Sequence, residues 1–505
     1  MVANGAVDSV KGPQPSCSPL ALENINPKVV KAQYAVRGEI VIRAKELEDK
    51  LHAGEKLPFD KILYCNIGNP QQLGQHPVTF YRQVLAICDY PELLESAEAK
   101  SIFPPDVLAR AKKYLAAIPG GTGAYSDSRG AMVLRQDIAK GIEERDGYPC
   151  DPDNLFLTDG ASQGVHAMMR LLLRDEKDAV LTPIPQYPLY SATLTMYGGV
   201  LLPYYLHEET GWSLDINELR EQTYKARSEG QNVRALVVIN PGNPTGQILS
   251  YENQVDVVKF CKEEGIVLLA DEVYQANIYR PDKTFTSFKK ARPFLSSQPR
   301  CLHACEEEVT LASMMSISKG FYGECGRRGG YTELVNVDPS VLSEVYKLAS
   351  INLCSNLNGQ ICMALVMNPP KEGEPSYDLY AKERTELLAS LKRRALKLHK
   401  TLSALQGVTC TEPEGALYAM PQIRLPQGAI EAAKKTGKAA DFFYCMQLLE
   451  ETGIVTVPGS GFKQEEGTFH FRTTFLVPEP ETDEVAERLV KFHNSFLAKY
   501  GEPEQ

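Results

Sequence analysis

The stretch ALVVINPGNPTGQILSYENQVDVVKFCKEEGIVLLADEVY, residues 235–274, decides the fold class. It contains an apolar run at 236–240, a helical pattern at 251–264 and a second apolar run at 266–270. Short apolar runs joined by amphipathic helices are typical of a mostly parallel sheet with helices on both faces. The same alternation begins near Asn154 and includes further apolar runs at 155–158, 179–182, 200–206 and 311–317. The sequence therefore predicts a large α/β domain.

The chain continues well beyond this pattern. Its 505 residues exceed the roughly 250–300 that one hydrophobic core organises, so a second domain is expected. After about Tyr380 a long charged helix, separated strands and a final amphipathic helix indicate a smaller α+β domain. A helical period from Asn26 to about Leu51 and an apolar run at 62–67 are expected to pack against it. We predict a disordered leader (1–24), an N-terminal segment packing with the small domain (25–78), a large cofactor-binding domain (79–384) and a small C-terminal domain (385–505).

The composition excludes several classes of function. With 54 basic and 64 acidic residues the net charge is -10, which disfavours nucleic acid and membrane surfaces as partners. No apolar run approaches the roughly 18–20 residues of a membrane span. The leader lacks a secretory or Arg-rich targeting pattern, and the 12 cysteines include no C-x-x-C pair, so we expect a cytoplasmic protein, with organellar targeting left open. Cys301, His303 and Cys305 have no second pair at zinc-finger spacing, so no metal is expected.

Four predicted strand ends carry distinctive chemistry, and ligands of open α/β sheets bind beyond such ends. TDGASQ (158–163) opens a helix with small residues, and helix N-termini bind phosphate. NPGNPTG (240–246) is a rigid turn, and DEVY (271–274) places a carboxylate where burial requires a cationic partner. SISK (316–319) ends in a lysine that could act as an amine nucleophile, and RRGG follows at 327–330.

Each feature also has an ordinary structural explanation, such as a helix cap or a strand-to-helix turn. Together they suit one cofactor. An aromatic aldehyde with a phosphate tail needs an amine, an anion cradle, a guanidinium and a carboxylate near its ring nitrogen. Pyridoxal 5'-phosphate is that molecule, so the sequence predicts a pyridoxal-phosphate enzyme.

The order of GASQ, NPGNPTG, DEVY, SISK and GRRGGY resembles the class I, fold type I aminotransferases. The stretches GNPQQLGQHPVTFYRQV (68–84) and SKGFYGECGRRGGY (318–331) resemble the alanine-converting members in particular. The resemblance implies an aspartate aminotransferase-like fold, with a seven-stranded type of sheet in the large domain. It also implies transfer of the amino group of L-alanine to 2-oxoglutarate, giving pyruvate and L-glutamate by a ping-pong cycle.

The resemblance assigns catalytic roles to three residues. Lys319 would hold the cofactor covalently and then carry a proton to and from the substrate. Asp271 would pair with the ring nitrogen, and Tyr187 would stack on the ring face. Asn243 and Tyr274 would hydrogen-bond the ring oxygen.

The remaining assignments concern the phosphate and the substrate. The phosphate would contact small, hydroxyl and guanidinium groups, namely Ala161, Ser162, Ser316 and Arg328. The family spacing selects Arg328 and leaves Arg327 without a role. Tyr125 would reach the phosphate of a neighbouring subunit, which implies a homodimer with shared active sites. The amino acid and 2-oxo acid substrates would contact Arg472, Gly68, Asn69 and Asn243, with Arg472 holding the α-carboxylate.

Other functions remain as alternatives. Glutamate:glyoxylate transamination, or another amino acid pair, uses the same cofactor cradle. A serine acyl-transferase is suggested by S-x-x-K at 316–319 and K-T-G at 435–437, but no S-D-N motif follows the first. A regulator built on such a domain would need a basic DNA-binding region, and a dinucleotide-binding enzyme would need G-x-G-x-x-G; the sequence contains neither.

Overall fold

The structure is a computed structural model that describes residues 20–34, 38–291 and 309–502. Most of the predicted leader and the cluster of Cys301, His303 and Cys305 lie outside the described residues. Within these ranges no helix is long and apolar enough to cross a membrane.

The described residues form fifteen short or medium strands. In chain order they are β1 Leu63–Tyr64, β2 Leu155–Asp159, β3 Asp178–Ile184, β4 Val200–His207, β5 Ser213–Leu214, β6 Asn232–Ile239, β7 Val267–Asp271, β8 Leu311–Ser316, β9 Gly329–Val335, β10 Val408–Thr409, β11 Tyr418–Ala419, β12 Gln422–Ile423, β13 Ile454–Val455, β14 Val457–Pro458 and β15 Phe471–Thr474.

The same ranges contain seventeen α-helices. They are α1 Pro27–Lys31, α2 Glu39–His52, α3 Thr79–Asp89, α4 Ala97–Ile102, α5 Pro105–Ala117, α6 Met132–Asp146, α7 Ala161–Leu172, α8 Pro188–Tyr197, α9 Ile216–Ser228, α10 Tyr251–Glu264, α11 Phe288–Ala291, α12 Pro339–Ile351, α13 Leu357–Met367, α14 Tyr377–Ser403, α15 Gln427–Thr436, α16 Ala440–Thr452 and α17 Thr482–Tyr500.

The large sheet has eight strands in the order β2-β9-β8-β7-β6-β3-β4-β5. Neighbouring strands from β8 to β4 are parallel, whereas β9 is antiparallel to both β2 and β8, and the two-residue β5 adds an antiparallel edge. Every residue of β8 is buried, and alternate residues face different cores, with Met314 on one face and Met315 on the other. Helices therefore cover both faces, which explains the continuous apolar runs in the sequence.

Besides the large sheet, the fold has a second core, formed by the C-terminal elements together with α2 and β1. We call β2–β9 with their helices the large-sheet part, and the elements from α14 onward the C-terminal part. Helix α2 and strand β1 pack into the core of the C-terminal part, and Leu63 of β1 pairs with Ile454 of β13. The predicted domain boundaries stay predictions. A further cluster joins the two parts, with Val273 and Tyr274 packed against Leu391, Leu417 and other residues of the C-terminal part.

The expected single helix from Asn26 to about Leu51 is wrong. Helix α1 ends at Lys31, because Ala32 is extended with φ -66° and ψ 128°, and α2 starts only after Gly38. Glycine has a low helix propensity, which favours a break before α2. The apolar period in the sequence continues across this break, so periodicity alone does not reveal it. Helix α1 packs on α8 of the large-sheet part, and α2 on the C-terminal part.

Candidate active site

Lys319 follows β8 and lies where the N-terminal segment crosses the large sheet. Its Nζ donates to the backbone oxygen of Gly68 at 3.0 Å and lies 3.5 Å from the hydroxyl of Tyr418. The turn after Lys319 requires φ +70° at Gly320, whose N–H donates to Asn277 Oδ1 at 2.8 Å. Three separate parts of the chain thus meet at the amine.

Asp271 ends β7, the neighbour of β8, and is 5% exposed. Its Oδ2 accepts a hydrogen bond from the hydroxyl of Tyr190 at 2.8 Å. Burial raises the pKa of Asp271 to about 6, while the hydrogen bond from Tyr190 and the charge of Lys319 oppose that rise. A carboxylate in this environment is stabilised by a cation placed beside it.

A chain of polar groups runs from Asn243 toward the lysine. Asn243 Nδ2 donates to the Tyr274 hydroxyl at 3.3 Å, and that hydroxyl is 3.3 Å from the Tyr418 hydroxyl. Burial raises the pKa of Tyr274. Burial also acts to raise the pKa of Tyr418, but the positive charges of Lys319 and Arg472 outweigh it and lower the pKa.

Arg472 lies on β15 with its side chain 1% exposed. It donates to Asn243 Oδ1 at 3.1 Å and to the backbone oxygen of Asn66 at 2.5 Å. Its guanidinium carbon lies 4.2 Å from the ring centre of Tyr418 and 4.8 Å from that of Phe462. Among the described residues no carboxylate lies within ion-pair distance, and its Nε has no hydrogen-bond partner. A buried guanidinium in this state suits an incoming carboxylate.

An anion cradle forms at the N-terminus of α7. Arg328 donates to Ser162 Oγ and Ser318 Oγ, both at 3.3 Å, and to the backbone oxygen of Asp159 at 2.9 Å. Ala161 is the first residue of α7, and the free N–H groups of a first helical turn bind anions. Gly160 has φ +78°, a left-handed backbone conformation that favours glycine, and a Cβ there would also press on the guanidinium of Arg328.

Of the remaining predicted residues, Tyr187 lies close enough to Tyr418 and Arg472 for their charges to act on its hydroxyl. The hydroxyl of Ser316 accepts from the N–H of Ser318 at 3.0 Å, and the amide of Asn69 donates to Gln72 Oε1 at 2.7 Å. Tyr187 shares a 2.8 Å hydrogen bond with the hydroxyl of Tyr34. Tyr125 is 76% exposed on the surface.

Sequence reasoning missed Tyr190, Tyr418 and Ser318. Tyr190 lies three residues after Tyr187, the N-cap residue of α8. This spacing puts the two side chains on the same side at the start of the helix and could have identified Tyr190. Ser318 directly precedes the lysine and was visible in the motif. Tyr418 comes from the two-residue strand β11, far along the chain, with no local signal.

The residues present suit pyridoxal 5'-phosphate. An amine, a buried carboxylate and an anion cradle occur at the ends of β8, β7 and β2, which share one region of the sheet. The backbone also approaches closely here, because a Cβ at Gly68 would lie 2.8 Å from Lys319 Nζ and 2.6 Å from the Tyr418 hydroxyl. The donor set is the one that an aldehyde, a cationic ring nitrogen and a phosphate require.

Comparisons with known proteins identify the family. The family model for aminotransferase class I and II matches residues 94–489. The chain is 56% identical to alanine aminotransferase 2 of Panicum miliaceum, over 95% of this chain and 99% of that protein. It is 55% identical to mitochondrial alanine aminotransferase 2 of Arabidopsis thaliana, over 96% of this chain and 89% of that protein.

Two further similarities are informative. Glutamate–glyoxylate aminotransferase 1 of Arabidopsis thaliana is 50% identical, over 95% of this chain and 97% of that protein. The solved structure of alanine aminotransferase from Pyrococcus furiosus has a TM-score of 0.72 and 25% identity, covering 93% of this chain and 99% of that one. The fold class expected from the sequence is confirmed.

Proposed function

Since the chain belongs to the class I and II aminotransferase family, we propose that it transfers the amino group of L-alanine to 2-oxoglutarate, giving pyruvate and L-glutamate. It is a pyridoxal-phosphate-dependent aminotransferase, and the proposed cycle is ping-pong. Identity above 50% to alanine aminotransferases over nearly the whole chain supports the substrate pair. The observation that carries the proposal is Arg472, a buried guanidinium close to the candidate lysine that lacks an anion among the described residues.

The cofactor supplies an aldehyde for the amino group and a cationic ring that accepts the electron pair left at the substrate carbon. We assign the phosphate to Arg328, Ser162, Ser318 and the first turn of α7. Asp271 holds the proton on the ring nitrogen, because the buried carboxylate gains a cationic partner there.

Lys319 is the proposed acid and base. Its Nζ accepts the proton from the α-carbon of the amino acid, and the same amine can return a proton during the second half of the cycle. The hydroxyl of Tyr418, 3.5 Å from Nζ, and the oxygen of Gly68, at 3.0 Å, restrict where this amine lies.

Arg472 and Asn243 form the proposed α-carboxylate site. Arginine presents paired N–H donors that match the two oxygens of a carboxylate. The Tyr418 and Phe462 rings hold the guanidinium plane, and Asn243 Oδ1 fixes one nitrogen. Because alanine and glutamate share an α-carboxylate, one such site serves both half-reactions.

Glutamate:glyoxylate transamination is the second candidate. It is supported by the 50% identity to glutamate–glyoxylate aminotransferase 1 over 95% of this chain. The two candidates differ in the 2-oxo acid that takes the amino group, not in the cofactor cradle.

A homodimer with Tyr125 at a shared active site is part of the proposal. Tyr125 is exposed and follows a Gly-rich turn, residues 121–123, which suits contact with another subunit. Sedimentation of the holoenzyme would test it.

A cytoplasmic location rests on the leader and the scattered cysteines, whereas the similarity to a protein named mitochondrial favours an organelle. Fractionation of cells that express the full chain would decide.

A half-reaction screen tests the function. The purified chain is loaded with pyridoxal phosphate, single amino acids are added, and the cofactor absorbance is followed. We expect rapid conversion with L-alanine and L-glutamate, and rapid return with pyruvate and 2-oxoglutarate.

The Lys319→Ala variant is the control, because any conversion of the cofactor that it still shows does not depend on the amine of Lys319. A return with glyoxylate much faster than with 2-oxoglutarate would favour the second candidate. Conversion by neither L-alanine nor L-glutamate would contradict the proposal.

A further inference from the structure

A polar contact joins the large-sheet part to the C-terminal part beside the candidate carboxylate site. Glu208 directly follows β4 of the large sheet, and His470 directly precedes β15. Glu208 Oε2 lies 3.0 Å from His470 Nε2, and the two side chains are 20% and 5% exposed. An ion pair with this little exposure is screened less than a surface pair.

The other ring nitrogen of His470 is also engaged. Its Nδ1 lies 3.1 Å from Gln464 Oε1, while Gln464 Nε2 donates to Asp441 Oδ2 at 3.0 Å. The carboxylate of Asp441 only accepts, so it fixes the orientation of the Gln464 amide and makes His470 Nδ1 a donor. Glu208 is an acceptor as well. Both ring nitrogens of His470 therefore face an acceptor oxygen, one from Gln464 and one from Glu208.

Gln464 connects His470 to the arginine. It closely follows the turn at Gly459–Phe462, and the Phe462 ring lies 4.8 Å from the guanidinium carbon of Arg472. A Cβ at Gly459 would lie 2.8 Å from His470 Cβ, so the turn wraps tightly around the histidine. His470 and Arg472 are two residues apart in an extended segment and so share a face of the strand.

We propose that His470 is a positioning residue for the substrate carboxylate. Its ion pair with Glu208 connects the turn at Gly459–Phe462 to the large-sheet part. This turn holds the Phe462 ring against Arg472. The inference rests on the proposed function, because it assigns the carboxylate to Arg472. It predicts that breaking the pair weakens carboxylate binding more than it slows the chemistry.

The chain carries its own reporter for this contact. Trp212 is the single tryptophan of the sequence, and its ring centre lies 5.9 Å from that of His470. It is buried, so its emission responds to the charge and polarity of the groups beside it. Loss of the adjacent ring, or of its contact with Glu208, changes that emission, whereas a distant disturbance leaves it unchanged.

The experiment compares the holoenzyme with Glu208→Gln, His470→Asn and the double variant. The matched control is Glu209→Gln, which removes the adjacent, exposed carboxylate. Three quantities are measured: kcat and KM for L-alanine and 2-oxoglutarate, the dissociation constant of glutarate by calorimetry, and the emission of Trp212. Glutarate is an unreactive dicarboxylate, so its binding reports the carboxylate site without any turnover.

We expect Glu208→Gln and His470→Asn each to raise KM and the glutarate dissociation constant about tenfold, with kcat within about threefold of wild type. Both variants should change the Trp212 emission, the double variant should be no worse than the more damaging single one, and the control should match wild type. Glu208→Gln keeps the side-chain shape, so it decides the matter if His470→Asn folds poorly.

The inference is overturned if glutarate binds the variants within twofold of wild type. It is also overturned if the effects of the two substitutions add, or if kcat falls in parallel with the rise in KM, since either result indicates general damage. Failure of wild type to bind glutarate would remove the proposed role of Arg472 and this inference with it. Normal glutarate binding without conversion of L-alanine would contradict only the proposed substrate pair.

Discussion

Replacing Tyr190 by Phe removes one hydroxyl and tests how the buried acid of the site is kept ionised. Tyr190 is fully buried, and its hydroxyl donates to Asp271 Oδ2 at 2.8 Å. Burial raises the pKa of Asp271 to about 6, and this hydrogen bond and the charge of Lys319 limit the rise. The variant should therefore have a higher Asp271 pKa, and a smaller fraction of its Asp271 should be ionised near neutral pH to pair with the ring nitrogen of the cofactor.

The magnitude follows from the type of contact. A hydrogen bond to a charged group contributes about 1.5–3 kcal/mol, so its loss should favour the protonated acid by that amount. Wild-type Asp271, with a pKa of about 6, is mostly ionised near neutral pH, so the ionised fraction, and with it the affinity for the cofactor, should fall roughly 2- to 15-fold in the variant. The sign of the pH effect follows from the raised pKa. Folded Asp271 holds its proton more tightly than the unfolded chain, so the free energy of unfolding of the apoprotein falls by ~3 kcal/mol as the pH rises from 3.8 to about 6.

Cofactor binding requires the ionised acid and responds in the opposite direction. It should weaken as the pH falls below about 6 in wild type, and this loss should begin at a higher pH in Tyr190→Phe. The assay is titration of the apoprotein with pyridoxal phosphate between about pH 5 and 8, followed by absorbance.

Tyr204→Phe is the matched control. Tyr204 is equally buried, and its hydroxyl donates at 2.8 Å to the neutral backbone oxygen of Val237. The control should lose stability without a change in cofactor affinity. Equal affinity and equal pH dependence for wild type and Tyr190→Phe would refute the argument.

Three other substitutions test the remaining roles. Lys319→Ala should lower the transamination rate by at least about 10²–10⁴-fold with the thermal midpoint little changed, and borohydride should no longer fix the cofactor to the chain; a label on another lysine in wild type would refute the assignment. Arg472→Lys should raise KM about tenfold for both amino acids, because a single ammonium cannot reproduce the paired contact, and an unchanged KM would place the carboxylate elsewhere. Gly68→Ala should lower kcat/KM in steady-state assays while urea unfolding changes little, since the new Cβ displaces only the flexible ends of Lys319 and Tyr418; wild-type kcat/KM would show that their position is not critical.

Much of the large sheet could be predicted because its strands are buried on both faces. Such strands appear as continuous apolar runs, and the helix predicted at 251–264 matches α10. The proximity of Asp271 and Lys319 also follows from local order, because Asp271 ends β7, Lys319 lies three residues after β8, and the two strands are neighbours. The short β5 carries too little sequence for a periodic signal, so the eighth strand could not be foreseen.

The contacts around Lys319 were not predictable in the same way. Gly68 and Tyr418 lie 251 and 99 positions from the lysine, so only packing of the two parts brings them to its amine. The sequence also did not show which of two serine hydroxyls contacts Arg328. Ser316 and Ser318 are the same residue type, and only the structure shows that Ser318 meets Arg328 while Ser316 accepts from the backbone.

The site concentrates charge that the folded chain by itself does not neutralise. The raised pKa of Asp271 means that its carboxylate destabilises the fold at neutral pH, and Arg472 is buried without a carboxylate among the described residues. Unpaired buried charges cost free energy, so the hydrophobic cores elsewhere must offset that cost. In the proposed roles, the cofactor would bring a cation to Asp271 and the substrate would bring an anion to Arg472. Binding would then remove two electrostatic penalties of the site, which gives a physical reason for both groups to be held rigidly before the ligands arrive.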